Sequence, residues 1–112
     1  MADCVFCKIA TGEIPTNVVY QDDLCMAFYD AAPTAPIHVL LVPKVHYASL
    51  PEVEDQALLG HLMITVAKVA DQLGLSEDGF RTVINTGIYG GQTVPHLHLH
   101  ILGGRNMQWP PG

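Results

Sequence analysis

The stretch His96-Leu97-His98-Leu99-His100-Ile101-Leu102 decides how this chain is read. Its imidazoles alternate strictly with apolar residues, and a strand has a side-chain period of two. The spacing therefore predicts a β-strand from His96 to about Leu102, with all three rings on one face and Leu97, Leu99 and Ile101 in the core. Successive rings start roughly 6.6 Å apart, two residues at about 3.3 Å of rise each, which is a spacing that brackets a tetrahedral phosphate. A solvent-facing polar strand would ordinarily carry Thr, Lys, Glu or Ser, and an internal, apolar-interleaved run is not an expression tag. Clustered imidazoles of this kind point to metal binding or catalysis.

Immediately upstream stand Gly87, Gly90 and Gly91, followed by Gln92 and Thr93. Such a loop can aim several backbone N–H groups at an anion. It lacks the Lys-Ser/Thr ending of a P-loop, so nucleoside triphosphate hydrolysis by that route is not implied. Two chemistries suit the histidines. They can hold a divalent metal together, leaving a position open. Alternatively, one imidazole attacks phosphorus while its neighbours hold the phosphate and move protons. The glycine loop favours the second. A nucleophilic imidazole must be neutral, so activity is expected to fall as the pH drops below about 6.5.

The remaining elements follow from pattern. Asp3 to Ala10 reads as a short helix with Asp3 as its cap and Gly12 ending it. Asn17–Tyr20 and Leu24–Tyr29 read as a hairpin turning at Gln21-Asp22-Asp23. After a rigid connector containing Pro33 and Pro36, the almost wholly apolar Ile37–Val42 reads as a strand buried on both faces. A long helix is expected from about Glu52 to Leu73, because Leu58, Leu62, Val66, Val69 and Leu73 recur at three- and four-residue steps before Gly74. Phe80–Asn85 supplies a further strand. The expected architecture is α+β: an antiparallel five-stranded sheet, one long helix and a short N-terminal helix. No repeat or composition break divides residues 1–112, which are read as a single domain.

Composition bounds the function. Of 112 residues, 49% are apolar and 14% charged, so a disordered or linker protein is excluded. Five Lys plus Arg against eleven Asp plus Glu give −6, which argues against a nucleic-acid polymer as partner. The longest apolar stretch, Ala57–Ala67, is too short to span a bilayer and includes His61, so no membrane association is expected. No secretory signal follows Met1, and three cysteines make a poor disulfide framework, so a cytoplasmic location is expected.

The chain resembles the histidine triad (HIT) family. His96-Leu97-His98-Leu99-His100-Ile101-Leu102 matches its His-x-His-x-His pattern followed by two apolar residues. Asp30-Ala31-Ala32-Pro33, Pro36-Ile37-His38, Val42-Pro43-Lys44-Val45-His46, Val83-Ile84-Asn85-Thr86-Gly87, Gly90-Gly91-Gln92-Thr93 and Gly104–Gly112 extend the likeness over essentially the whole chain. The tail is similar to that of the Hint branch, the nucleoside phosphoramidases. The resemblance implies a homodimer that binds a purine nucleoside monophosphate, or hydrolyses its amide, with no cofactor needed for catalysis. By position, His98 would be the nucleophile, His100 would contact the phosphate, and His38 and His96 would support the triad. Asp30 would accept from the ribose hydroxyls with Ala31 alongside. Asn85, Gly91 and Thr93 would hold the phosphate or ribose end, and Val5, Phe6, Ile9 and Phe28 would wall the base. Thr93 stands where Hint relatives often have Ser. A nucleotide-binding regulatory or scaffold module with vestigial catalysis, and a metal-dependent hydrolase with the triad as zinc ligands, are the rival readings.

Cys4-x-x-Cys7 is half of a tetrahedral zinc site, for which His46 and His96 are the candidate remaining ligands. Some histidine triad proteins resemble this arrangement, with zinc in a structural role; two buried free thiols are the alternative. Cys25 reads as plain core, and His61 as structural or surface.

Overall fold

Asp22 organises the first hairpin. In the computed structural model, which describes residues 3–112, its Oδ1 accepts hydrogen bonds from Leu24 N (2.8 Å) and Cys25 N (2.9 Å). An aspartate that folds back on the next amides in this way reverses a chain locally. The turn joins β1 (Val18–Gln21) to β2 (Cys25–Tyr29), which pair antiparallel with an irregularity between Val18 and Tyr20. β2 then pairs with β3 (Ile37–Pro43), β3 with β5 (Leu99–Gly103), and β5 with the short β4 (Arg81–Val83). Every pairing is antiparallel, and the spatial order is β1-β2-β3-β5-β4.

The sheet has two differently used faces. Cys25 and Ala27 of β2, Val39 and Leu41 of β3, and Leu99 and Ile101 of β5 turn to one side. There they meet α2 (Gln56–Gln72), which buries Leu58, Leu62, Thr65, Val66, Val69 and Ala70. Asp55 caps this helix, its Oδ1 accepting from Leu58 N at 3.0 Å, and Gly74 follows its end with φ 76°. Buried Thr65 is satisfied by donating to His61 O at 2.7 Å. The helix thus starts later than the expected Glu52. Leu50–Glu52 forms a separate 3₁₀ turn carrying Pro51 at its start, and Asp55 competes as the better cap.

The alternate residues of the same strands face the other way. Met26 and Phe28 of β2 and Leu40 and Val42 of β3 pack with Phe6 and Ile9 of α1 (Val5–Ala10). The N-cap of α1 is Cys4, whose sulfur accepts from Cys7 N at 3.4 Å, and not the expected Asp3. Strand β3 is accordingly buried on both sides. No helix among the described residues is long and apolar enough to cross a membrane.

Candidate active site

The histidine run enters the sheet later than its alternation suggests. Leu97 N donates to Tyr47 O (2.6 Å) and His96 N to Val94 O (2.9 Å), so the ladder of β5 begins only at Leu99. The alternation nevertheless persists through this extended lead-in. Phe6 lies edge-on to both His96 and His98, at 5.9 and 5.0 Å between ring centres, which puts both rings on the α1 side. His100 follows, 5.0 Å from His98. Leu97, Leu99 and Ile101 go into the opposite core.

Three of the imidazoles have their tautomer fixed by a backbone partner that can play only one role. His98 Nδ1 lies 2.7 Å from His96 O. A carbonyl only accepts, so Nδ1 carries the proton and Nε2 keeps a free lone pair. His96 Nε2 donates to Pro43 O at 2.9 Å, which leaves its Nδ1 as the lone-pair nitrogen. His38 Nδ1 accepts from Thr34 N at 3.0 Å, so its proton sits on Nε2, 2.9 Å from His100 Nδ1. While His38 donates to it, His100 carries its own proton on Nε2. Burial, reinforced by the neighbouring His98 and His38 and opposed by Asp30, pushes the His100 pKa down to about 4. It is a neutral hydrogen-bond donor across the ordinary pH range.

His98 and His100 open into a cleft of about 310 Å³. The nearby wall is apolar, made by Val5, Phe6 and Ile9 of α1 and Phe28 of β2, while Asp30, Ala31 and Thr93 complete the sequence-expected lining. Thr16, Tyr29, Leu40 and Val94 also line it. Leu40 was legible from the alternation of β3, which puts it on the face of His38; Thr16 lies in an irregular segment with no such signal. His38 sits beside the cleft, only 5% exposed, bridging His100 and the Asp30 side.

Asn85 and Gly91 are not in the lining. Asn85 Nδ2 donates to Gly90 O at 2.6 Å and so shapes the glycine loop. The expected cradle of main-chain donors is largely engaged within that loop. Gly91 N donates to Ile88 O, Gln92 N to Gly87 O, and Gly87 N to Gln92 Oε1, all within 3.0–3.1 Å. Gln92 Nε2 continues to Ala48 O and Val94 O, anchoring the segment that delivers Thr93 to the cleft. A glycine is required at position 90, where an added Cβ would fall 2.3 Å from Thr86 O.

His96 turns away from the cleft into a second cluster. Its Nδ1 is 3.2 Å from Cys4 Sγ, 3.5 Å from Cys7 Sγ and 3.1 Å from His46 Nδ1, and Cys7 Sγ is 3.3 Å from His46 Nδ1. All four atoms lie within 4.8 Å of one another. A tetrahedral zinc with bonds of about 2.3 Å to sulfur and about 2.0 Å to nitrogen would separate its ligands by roughly 3.3–3.8 Å. The donor set and spacing fit that ion. The His96 Nε2–H bond to Pro43 O supplies the outer contact that orients a ligating imidazole. Among the described residues no group of potential ligands joins His96, His98 and His100, so the three triad rings do not converge on one metal position.

The last histidine-rich feature lies on the far side of the sheet. His61 Nε2 is 2.7 Å from Asp22 Oδ2, tying α2 to the first hairpin. Burial alone would raise the Asp22 pKa. The hydrogen bonds from Leu24 N, Tyr20 Oη, His61 and Cys25 N outweigh it and hold the carboxyl well below the usual carboxylate range. The structural reading of His61 is the one this geometry describes. Cys25 is fully buried, as a core residue would be, and burial followed by Asp22 pushes its thiol up to about 11.

An open antiparallel sheet with a His-x-His-x-His segment beside a small cleft, braced by a short N-terminal helix, defines the histidine triad class of α+β domains. The HIT domain pattern matches residues 11–107, and the chain belongs to the HIT family. It is 60% identical to an uncharacterized HIT-like protein of Synechococcus elongatus, covering 98% of this chain and 97% of that one. Among solved structures it resembles a HIT family hydrolase from Legionella pneumophila, with 51% identity, a TM-score of 0.95, and coverage of 98% and 100% of the two chains. A histidine triad protein from Clostridium difficile is 46% identical with a TM-score of 0.93 and covers 96% of each chain.

Proposed function

We propose that this protein hydrolyses purine nucleoside 5′-phosphoramidates through a nucleotidyl intermediate on His98. The observation that carries the reading is the meeting, in one cleft, of a lone-pair-bearing His98 Nε2, an N–H donor on His100, an apolar aromatic wall and the Asp30 carboxylate. The Legionella relative is described as a hydrolase, which agrees with it. The base lies against Val5, Phe6, Ile9 and Phe28, the ribose hydroxyls donate to Asp30 beside Ala31, and the phosphate meets Thr93, His98 and His100. Asn85 and Gly91 serve that end by shaping the loop that delivers Thr93.

In the first displacement the Nε2 lone pair of His98 forms a bond to phosphorus as the P–N bond breaks. The departing nitrogen takes a proton from solvent at the cleft mouth, oriented by the His100 Nε2–H. The positive charge that develops on the His98 ring is stabilised by its Nδ1–H bond to His96 O. Water then attacks phosphorus, the His98–phosphorus bond breaks, and a proton returns to solvent. The products are the nucleoside monophosphate and a free amine.

We further infer that Cys4, Cys7, His46 and His96 hold a structural zinc ion, which when bound would join α1 to the segment leading into β5. Its site is separate from the reacting atoms, and free thiols as ligands suit a reducing, cytoplasmic setting. A homodimer is proposed as well, since Met63 and Ile64 of α2 remain 50% and 67% exposed.

The test is turnover of adenosine 5′-phosphoramidate with chromatographic detection of AMP, together with mass-spectrometric trapping of adenylylated protein. The expected result is turnover that resists EDTA, with the adduct on His98. Tight AMP binding without amine release would instead select the binding-module reading. Metal analysis should find about one zinc per chain, lost in Cys7→Ser.

A further inference from the structure

His38 has one proton, one hydrogen-bonded acceptor for it in His100, and a second acceptor nearby in Asp30. The ring is 5% exposed, and its Nδ1 is occupied by Thr34 N, so the proton stays on Nε2 in a largely buried setting. That nitrogen lies 2.9 Å from His100 Nδ1 and 3.4 Å from Asp30 Oδ2. The other carboxylate oxygen, Asp30 Oδ1, already accepts from Ala32 N at 2.8 Å. Asp30 Oδ2 therefore faces His38, and Asp30 is also part of the cleft lining.

We propose that His38 is a positioning residue that passes ribose occupancy at Asp30 to the phosphate end of the cleft, by committing its single Nε2 proton to His100 when the ribose hydroxyls occupy the carboxylate. This rests on the function proposed above. The consequence is local and needs no proton transfer. While His38 donates to His100 Nδ1, the proton of His100 is confined to Nε2, where it faces the phosphate as a donor. While His38 donates to Asp30 instead, Nδ1 of His100 loses its partner. Once the rings turn off their 2.9 Å contact, which would otherwise set two N–H groups head to head, His100 can adopt the opposite tautomer and present a lone pair to the phosphate oxygens, which repels them. Ribose hydroxyls that donate to Asp30 Oδ2 compete with His38 for that oxygen and so favour the productive arrangement. The sugar is thereby read in the rate of the chemical step and not only in binding, because the effect appears at the group that contacts the reacting phosphate.

The Asp30–His38–His100 set is also the kind of trio that gathers around a metal, since its ligand atoms lie within 4.8 Å of one another. The hydrogen-bond pattern argues otherwise. His38 Nε2 and His100 Nδ1 face each other at 2.9 Å, and His38 Nδ1 is taken by a backbone amide. The His38 nitrogen turned toward this trio therefore carries a proton and has no lone pair for an ion.

The experiment is ring-nitrogen NMR of 15N-histidine-labelled protein, free and saturated with AMP or with 2′,3′-dideoxyadenosine monophosphate. AMP should drive His100 fully to the Nε2–H tautomer, and the dideoxy nucleotide should leave it mixed. In Asp30→Asn and in His38→Leu the two ligands should give the same spectrum. His38→Gln, whose amide N–H can still donate to His100, should restore part of the difference. In turnover, removing the hydroxyls from the phosphoramidate should lower kcat about tenfold in the wild type, the worth of one hydrogen bond. The same change should alter only KM in His38→Leu. Equal His100 tautomers with both nucleotides in the wild type overturn the coupling while leaving the proposed reaction standing. Absence of both AMP binding and turnover overturns the reaction, and the coupling with it.

Discussion

The two faces of one sheet are built from neighbouring residues of the same strands, yet they are held together by different means. On the α2 side, Val39, Leu41 and Ile101 are fully buried against Leu62, Val66 and Val69, and the face is stabilised by apolar contact. On the α1 side, His38, His96 and His98 are 5% exposed or less, and each ring nitrogen given a partner above is matched to an amide, a carbonyl, a sulfur or another ring. No buried side-chain nitrogen or oxygen among the described residues lacks a partner. The first face tolerates change by volume, the second by connectivity. One face carries stability, and the other carries chemistry at some cost in burying polar rings.

The contrast can be broken most severely at His98. His98→Asn should lower kcat/KM for a nucleoside phosphoramidate by about 10³-fold or more. The urea unfolding free energy should move by no more than about 1–2 kcal/mol. Leu41→Ala, on the α2-side face of β3 opposite Leu99, should do the reverse. Its unfolding free energy should fall by about 2–5 kcal/mol while kcat of the folded protein is retained. A large kcat loss in Leu41→Ala measured where the protein is fully folded would mean that the faces are not separable.

A smaller effect is expected at the polar node on the α2 side. Asp22 accepts from Leu24 N, Cys25 N, Tyr20 Oη and His61, so Asp22→Asn should cost about 1–3 kcal/mol in chemical denaturation, with kcat unchanged. The smallest effect is a pH slope. The His100 pKa is lowered in the fold to about 4 from its unperturbed 6.5. Between those values the unfolded chain binds more protons, so the contribution of this ring is complete above that window and declines as the pH falls through it. Thermal midpoints should drop from about pH 7 to about pH 5, and His100→Gln should flatten that drop.

The sheet and its principal helix were legible because period-two and period-3.6 patterns are local properties of the chain. So was the gathering of Phe6, Ile9, Phe28, Asp30, His98 and His100 around one cleft, through likeness to a family. What escaped depended on partners distant in sequence. The late start of β5 comes from Tyr47 O taking Leu97 N, and the pairing of His61 with Asp22 spans 39 residues. The glycine loop misled for another reason. Its composition suggests N–H groups free for a ligand, but a tight loop fixes its own geometry first, and Asn85 and Gln92 close it from within. The tautomers are equally illegible, since those of His96, His98 and His38 are each set by one backbone carbonyl or amide whose placement depends on the folded geometry, and that of His100 by the His38 ring.

Cys4 couples the first helix to the histidine segment. Its sulfur caps α1 and touches His96, whose carbonyl in turn accepts from the His98 ring, while Val5, Phe6 and Ile9 of the same short helix wall the cleft. A fluorophore grafted onto an exposed position of this helix would thus sit on a lever shared by the apolar cleft wall and the anchor of the His98 ring. The first helix is a natural place to build an optical gauge of occupancy.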